Sequence, residues 1–198
     1  MSITPTTRSR VGALLCAAAS LLGLPLAHAG VVIGGTRVVY DARAPEVTLK
    51  LDNRNQHPSL VQVWIDAGDS GIAPDDAEVP FVVMPPVFRM EPGRSQMVRI
   101  RQLDPALPAD RESLFWINEL EVAPKPDAQQ GRPVNYMQLA FRTRIKLFYR
   151  PAGLAGGPTM TRERIVATLV RDTSTSTITH AGGWAVHIHN PTPYHLSF

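Results

Sequence analysis

The stretch Met137-Gln138-Leu139-Ala140-Phe141-Arg142-Thr143-Arg144-Ile145-Lys146-Leu147-Phe148-Tyr149-Arg150-Pro151 decides the fold class of this chain. Apolar and polar side chains alternate along it, and a period of two is typical of a β-strand and not of a helix. The large apolar residues are Met137, Leu139, Phe141, Ile145 and Leu147, and they alternate with Gln138, Ala140, Arg142, Arg144 and Lys146. At a sheet edge, such a strand would offer unpaired backbone groups beside apolar side chains, which is an aggregation hazard unless a partner strand adds there.

The rest of the chain contains further short strands separated by Pro, Gly and Asn/Asp turns. The strand candidates are 31–33, 36–40, 46–52, 59–67, 80–84, 95–101, 112–121, 135–149, 163–171 and 183–189. This spacing favours an antiparallel sandwich. We therefore predict an all-β protein with an immunoglobulin-like β-sandwich over residues 30–150. Residues 151–198 would hold a linker and an incomplete second β-sandwich domain, because they fall well short of the roughly 100 residues of a full sandwich.

The first 29 residues have the pattern of a secretory signal peptide. Arg8 and Arg10 precede an apolar stretch over 11–26, and Ala27-His28-Ala29 is a small-x-small cleavage site before Gly30. The single cysteine, Cys16, lies within this segment, so no disulfide is expected afterwards. We expect an exported protein that does not insert into a membrane.

The net charge argues against binding of nucleic acid. Removal of Arg8 and Arg10 leaves 18 of the 20 basic residues against 17 acidic ones, a formal charge of +1. The remaining basic residues are locally clustered, however, at Arg142, Arg144, Lys146 and Arg150. A local cationic site is thus expected in place of a general positive field.

Several blocks of the sequence together resemble the PapD-like family of periplasmic pilus-assembly chaperones, in the family's order. The blocks are Gly35-Thr36-Arg37-Val38-Val39-Tyr40, Met84-Pro85-Pro86-Val87-Phe88-Arg89-Met90-Glu91-Pro92-Gly93, Asp110-Arg111-Glu112-Ser113-Leu114-Phe115-Trp116, Ile145-Lys146-Leu147-Phe148-Tyr149-Arg150-Pro151 and Asn190-Pro191-Thr192-Pro193-Tyr194. The resemblance implies two immunoglobulin-like domains. It also implies a chaperone that binds pilin subunits by donating an edge strand, prevents their aggregation and delivers them to an outer-membrane usher, without a cofactor.

The resemblance also implies roles for individual residues. Arg37 and Lys146 would anchor the terminal carboxylate of the subunit, and Met137, Leu139 and Phe141 would enter its groove. Because Lys146 has the opposite parity to these three, it should face the interdomain cleft. Glu112 and Arg150 match two members of a charge bridge between the domains, whose third member normally lies in a later part of the second domain. The short segment 125–133 resembles the short-loop subclass, and the unliganded edge is expected to permit self-association.

Two other functions remain as alternatives. One is a secreted immunoglobulin-like structural or adhesion subunit that polymerises through its own edge strand. A weaker one is a hydrolase built around Ser70 in Gly68-Asp69-Ser70-Gly71, although His57 is the only histidine between Gly30 and Ser70. His187 and His189 have strand spacing but no nearby acid, and Trp64, Trp116 and Trp184 are expected in the core. We therefore predict that the protein is not an enzyme and has neither catalytic nor metal-binding residues.

Overall fold

The computed structural model describes residues 30–103, 107–125, 137–171 and 183–197. The signal-peptide prediction for residues 1–29 lies outside these ranges. The strands are β1 (Val31–Ile33), β2 (Arg37–Asp41), β3 (Val47–Asn53), β4 (Ser59–Asp66), β5 (Phe81–Met84), β6 (Val87–Met90), β7 (Ser95–Gln102), β8 (Ser113–Val122), β9 (Ala140–Arg150), β10 (Val166–Arg171) and β11 (Trp184–His189). The helix α1 (Thr161–Arg164) and 3₁₀ turns at Pro74–Asp76 and Pro158–Met160 complete the described elements. The prediction of an all-β protein is confirmed.

The first nine strands form two sheets. One has the order β1-β3-β7-β5, and the other has the order β2-β9-β8-β4-β6. Their ladders are antiparallel except between β2 and β9, which run parallel with Arg37 opposite Lys146 and Asp41 opposite Arg150. The long strand β9 therefore lies inside its sheet at one end, with β8 on one side and β2 on the other.

The core lies between the two sheets and follows from the alternation of each strand. Leu51, Val98 and Ile100 of the first sheet and Val61, Ile117 and Leu147 of the second are fully buried. An aromatic group closes one end of this core, formed by Tyr40, Phe81, Phe115 and Tyr149. Each fully buried aliphatic side chain contributes about 1.5–3 kcal/mol, so this interior stabilises the sandwich without disulfides.

The structure differs from the sequence prediction chiefly at three places. The strand β6 was missed because it directly follows Pro85 and Pro86, and consecutive prolines normally mark a break. The strand β9 begins at Ala140, so Met137 and Leu139 precede it. The first residues of predicted strand 163–171 instead belong to α1, which follows the 3₁₀ turn begun by Pro158.

The residues after Pro151 add a hairpin and a returning segment. The strands β10 and β11 pair antiparallel, with Val166 opposite His189. The following residues then contact the first sandwich, where the Glu112 backbone N–H donates to the Pro193 carbonyl over 2.9 Å. Tyr194 is buried at this contact, and its hydroxyl donates to the carbonyl of Gly156 over 3.2 Å. This segment positions His195 and Ser197 beside β9.

Candidate functional site

The apolar face of β9 changes from buried to exposed along its length. Ile145, Leu147 and Tyr149 are buried in the core. On the same side, towards the beginning of the strand, Phe141 is 63% exposed; Leu139 is 56% exposed and Met137 84% exposed. The period-two pattern thus extends beyond the core that it helps to form. These three predicted groove residues form a contiguous apolar edge on the surface, which for a monomer is typical of an interaction site.

The backbone of β9 is open along the same half. The strand β8 pairs with β9 from Ala140 to Tyr149. On the other side β2 pairs only with Lys146–Arg150, and no other strand in the described ranges pairs there with residues 140–145. We call residues 137–145 the open edge. It combines unpaired backbone groups with exposed apolar side chains, which are the two requirements for adding a foreign strand.

Cations and tryptophans cover the opposite face of β9. The Arg142 guanidinium lies 4.7 Å from the ring centre of Trp64, and that of Arg144 lies 4.5 Å from the ring centre of Trp116. Arg144 also donates a hydrogen bond to the buried carboxylate of Asp66. Cation–π contacts of this kind contribute about 0.5–2 kcal/mol each. They hold the basic side of the strand in place and so fix the direction of its apolar side.

Asp66 is the charged centre of this outer network. Burial opposes its ionisation, but hydrogen bonds from Asn118 and Arg144 outweigh burial and hold the pKa of Asp66 below its ordinary value. Asn118 in turn accepts hydrogen bonds from Arg142, at 3.0 Å and 2.6 Å from its two nitrogens. The network therefore needs an ionised Asp66 and both arginines.

Arg37 and Lys146 are brought together by the parallel pairing of β2 with β9. The Lys146 ammonium donates to the Ser197 hydroxyl over 2.9 Å and lies 5.6 Å from the Trp116 ring centre. Arg37 is exposed and lines a cleft of about 790 Å³ with Arg162, His195 and Ser197. Both cations thus lie on the side of β9 away from Phe141 and towards the returning segment, as the parity of the strand requires.

Glu112 and Arg150 are in direct contact. The Arg150 Nε donates to Glu112 Oε1 over 2.7 Å, and the backbone N–H of His195 donates to Glu112 Oε2 over 2.8 Å. The sequence argument left this carboxylate without a third partner, whereas the structure supplies one from the backbone of the returning segment. A buried carboxylate needs such donors, because an unpaired buried charge is costly. Glu112 therefore links the first sandwich to residues 193–195.

Several residues of this region were not found by sequence reasoning. Trp64 and Trp116 were expected in the core; Trp64 is indeed buried, but both lie outside the core cluster, on the outer face under Arg142 and Arg144. Trp184 is 64% exposed, so the expectation of core packing is wrong there too. Parity was an available signal for Trp116, because it alternates with the buried Phe115 and Ile117. The contacts of His195 and Ser197 had no local signal, since their partners are distant in sequence.

The comparison with protein families identifies the class. Residues 30–155 match the family model described as the pili and flagellar-assembly chaperone, PapD N-terminal domain. The chain belongs to this family. The predicted resemblance is thereby confirmed.

Individual relatives agree with this assignment. The chain is 43% identical over 195 residues to the chaperone protein FimB/FhaD of Bordetella pertussis, covering 96% of this chain and 75% of that protein. It is 43% identical over 171 residues to the probable fimbrial chaperone YadV of Escherichia coli, covering 86% of this chain and 66% of that protein. The crystal structure of the YadV chaperone superposes with a TM-score of 0.66 at 38% identity, covering 84% of this chain and 69% of that one.

Among the similar structures are chaperones bound to a partner, and one of them is informative here. It is the Salmonella enterica SafA pilin in complex with the SafB chaperone, with a TM-score of 0.64 and 28% identity, covering 87% of this chain and 72% of that one. In that structure the chaperone is bound to a pilin. Partnership with a pilin is thereby supported for the family.

Family membership decides between the functions left open by the sequence. The family's role in pilus assembly is not enzymatic, which confirms that prediction and removes the hydrolase and adhesion-subunit alternatives. Ser70 itself lies in a surface turn whose carbonyl accepts a hydrogen bond from Arg142. The family is periplasmic, and no helix in the described parts of the chain is long and apolar enough to cross a membrane. Those parts also hold no group of three or more potential metal ligands.

Proposed function

We propose that this protein is a periplasmic chaperone that captures pilin subunits by lending them its open edge as a strand. The observation that carries the proposal is the coincidence, over residues 137–145, of exposed alternating apolar side chains with a backbone edge that β2 leaves unpaired. A pilin sandwich that lacks a strand has a hydrophobic groove and two rows of unpaired backbone groups. The open edge is complementary to both features.

The apolar side chains supply most of the binding free energy. Met137, Leu139 and Phe141 are more than half exposed, so each has much of its surface available for burial. Full burial of such a side chain stabilises a complex by about 1.5–3 kcal/mol. Three of them together offset a large part of the roughly 4–15 kcal/mol lost in translational and rotational freedom on association.

Arg37 and Lys146 are proposed to bind the terminal carboxylate of the subunit. A guanidinium and an ammonium on neighbouring strands form a charge-assisted site for a carboxylate. Lys146 already donates to the Ser197 hydroxyl, so a carboxylate would replace a neutral acceptor with a charged one. Anchoring one end also sets the register, because a slip by one residue would turn Leu139 and Phe141 away from the groove.

The remaining elements of the proposal concern export and assembly. Residues 1–29 would direct export and be removed, residues 30–150 would form the subunit-binding domain, and residues 151–198 would hold the linker and part of a second domain. Glu112 and Arg150 would act as the bridge between the two. The short segment 125–133, of which only Lys125 is described, fits the short-loop subclass. The captured subunit would then pass to an outer-membrane usher, and the unoccupied edge would permit self-association.

A matched pair of charge insertions tests strand donation. Leu139→Glu places a carboxylate on the open edge, whereas Met97→Glu places one at a similarly exposed position, 53%, on β7 of the other sheet. Both variants should fold, as judged by circular dichroism. We expect Leu139→Glu to abolish co-purification of a co-expressed pilin and Met97→Glu to retain it. Equal pilin recovery with both would overturn the proposal.

A further inference from the structure

Two acidic side chains occupy core positions at one end of the sandwich. Along β8, Phe115 and Ile117 point into the core, and the same alternation places Glu119 and Glu121 inside. Glu119 is 1% exposed and Glu121 is 6% exposed. Two neighbouring buried carboxylates repel each other and lose hydration, so a nearby cation would stabilise their ionised forms.

The visible partners of these carboxylates are neutral. Glu121 accepts hydrogen bonds from the Val31 backbone N–H over 2.8 Å, the Ser59 hydroxyl over 2.7 Å and the Asn55 amide. Glu119 has a buried Oε1 without any hydrogen-bond partner. Among the residues that the structure describes, no lysine, arginine or histidine forms an ion pair with either one. The negative charge at this end of the core is therefore unbalanced within the described chain.

Gly30 lies directly against Glu121. A Cβ atom placed on Gly30 would lie only 2.2 Å from Glu121 Oε2. Since standard geometry separates the Cβ position and the backbone nitrogen by about 2.5 Å, the Gly30 nitrogen lies within about 5 Å of that oxygen. An opposite charge at about 4–6 Å is close enough to stabilise a buried carboxylate strongly.

The two residues also share a recess. Gly30, Val31 and Glu121 line a recess of about 360 Å³ together with Phe141 and Thr143 of β9. Glu119 is adjacent to this recess, because its side chain forms a hydrogen bond with Thr143, which lines it. Burial and the neighbouring Glu121 charge raise the pKa of Glu119 to about 7, which is the response of a carboxyl group that lacks a cationic partner.

Gly30 is the residue expected to become the N-terminus of the mature chain. The sequence predicts cleavage between Ala29 and Gly30, and the family match also begins at residue 30. Hydrolysis adds water across this amide bond, leaving a carboxylate on Ala29 and an amine on Gly30. At neutral pH the amine binds a proton and becomes an ammonium with three donors. Before cleavage the same nitrogen is a neutral amide with one donor.

We propose that the recess beside Glu119 and Glu121 is a binding site for a primary ammonium, and that its ligand is the α-amino group of Gly30 released by removal of the signal peptide. Processing would thus complete the charge balance of the sandwich interior. Because Phe141 lines the same recess, the ion pair would form immediately behind the open edge. The other titratable group lining the recess is His57, which is exposed. Arg142 and Arg144 lie on the opposite face of β9.

The test compares two forms of the full chain that differ at the N-terminus. One is exported, with its start at Gly30 verified by intact mass. The other is made without export and begins Met-His28-Ala29-Gly30, where the large His28 side chain prevents removal of the initiator methionine. The α-amino pKa of ¹⁵N-labelled Gly30 is measured by NMR, and both forms are melted. We expect the α-amino pKa to lie above its usual value near 7.7–8.0, and the processed form to melt at a higher temperature.

Variants of the two carboxylates test whether they cause the raised α-amino pKa of Gly30. Glu119→Gln and Glu121→Gln should each lower the Gly30 α-amino pKa towards its usual value, whereas Glu163→Gln, at an exposed position of α1, should leave it unchanged. If Glu121→Gln does not fold, Glu119→Gln and the N-terminal extension still decide the question. A mature start other than Gly30, an ordinary α-amino pKa, or identical melting of the two forms would overturn the proposal.

Discussion

Arg37 and Lys146 lie opposite each other across the parallel ladder, at the point where β2 begins and the open edge ends. The same residue pair thus marks the boundary between the closed and the open part of β9. A ligand that binds both cations has its end fixed at this boundary. The rest of an extended ligand would then lie along residues 137–145.

We predict that Arg37→Ala and Lys146→Ala each abolish capture of a pilin while the sandwich remains folded. Both side chains lie on the outer face, so their removal leaves the core intact. The terminal carboxylate of the bound pilin, however, would lose a charge-assisted partner. The measurement is co-purification of a co-expressed pilin. Arg99→Ala, an exposed change on β7, is the control and should bind normally. Full recovery of pilin with either anchor variant would refute this role.

Two truncations on the same face of β9 should separate binding from stability. Phe141→Ala should weaken pilin binding by about 10-fold to 100-fold and change the free energy of unfolding by less than about 0.5 kcal/mol, because Phe141 is exposed. Leu147→Ala should instead destabilise the protein by about 2–5 kcal/mol, because Leu147 is fully buried. Urea unfolding and pilin titration measure the two effects. Similar destabilisation by both would show that Phe141 belongs to the core.

Glu112→Ala should release the returning segment from the first sandwich. The carboxylate accepts hydrogen bonds from Arg150 and from the His195 backbone, and both donors lose their partner in the variant. We expect the free energy of unfolding to fall by about 1–3 kcal/mol and proteolysis after residue 151 to become faster. Glu91→Ala breaks the exposed pair with Arg89 and should change stability by less than about 1 kcal/mol. Equal proteolysis rates for both variants would show that Glu112 does not hold this segment.

Glu119 predicts a pH dependence of stability for the chain with an N-terminal extension. Its pKa is raised from 4.5 to about 7, so the folded state binds more protons than the unfolded state between these values. The free energy of unfolding should therefore fall as pH rises through this window. Glu119→Gln should flatten the slope, which urea unfolding from pH 4 to 8 would reveal. In the processed form, with an ammonium at Gly30, the free energy of unfolding should depend less steeply on pH than in the extended form. An unchanged pH dependence in Glu119→Gln would show that Glu119 is not its source.

The sequence predicted the elements whose pattern is local. The alternation in residues 137–151 predicts β9, its apolar face and the opposite orientation of Lys146, because strand parity is a property of neighbouring residues. The same argument predicts ten of the strand locations. It fails at Val87–Met90, because the two preceding prolines predict a break in the chain. Proline is tolerated next to a strand when its position needs no backbone hydrogen bond, and the local sequence does not show this.

The sequence could not predict contacts between distant residues. Nothing near Glu112 shows that His195 will donate to it, and nothing near Trp116 shows that two cations will cover its ring. The acidic residues at 119 and 121 continue a core-facing alternation, but polar residues normally indicate a surface, so burial there depends on the approach of β1 and the segment before β4. Tertiary packing decides these features.

The distance between Lys146 and Met137 along the chain would set the length of subunit groove that the open edge can fill. Met137 lies nine positions before Lys146, which in an extended chain corresponds to about 30 Å. A client whose groove is shorter than this span, when held by its carboxyl end, would leave Met137 in water. A client with the full span would cover every apolar side chain, so the proposed strand donation would favour clients whose groove matches this length.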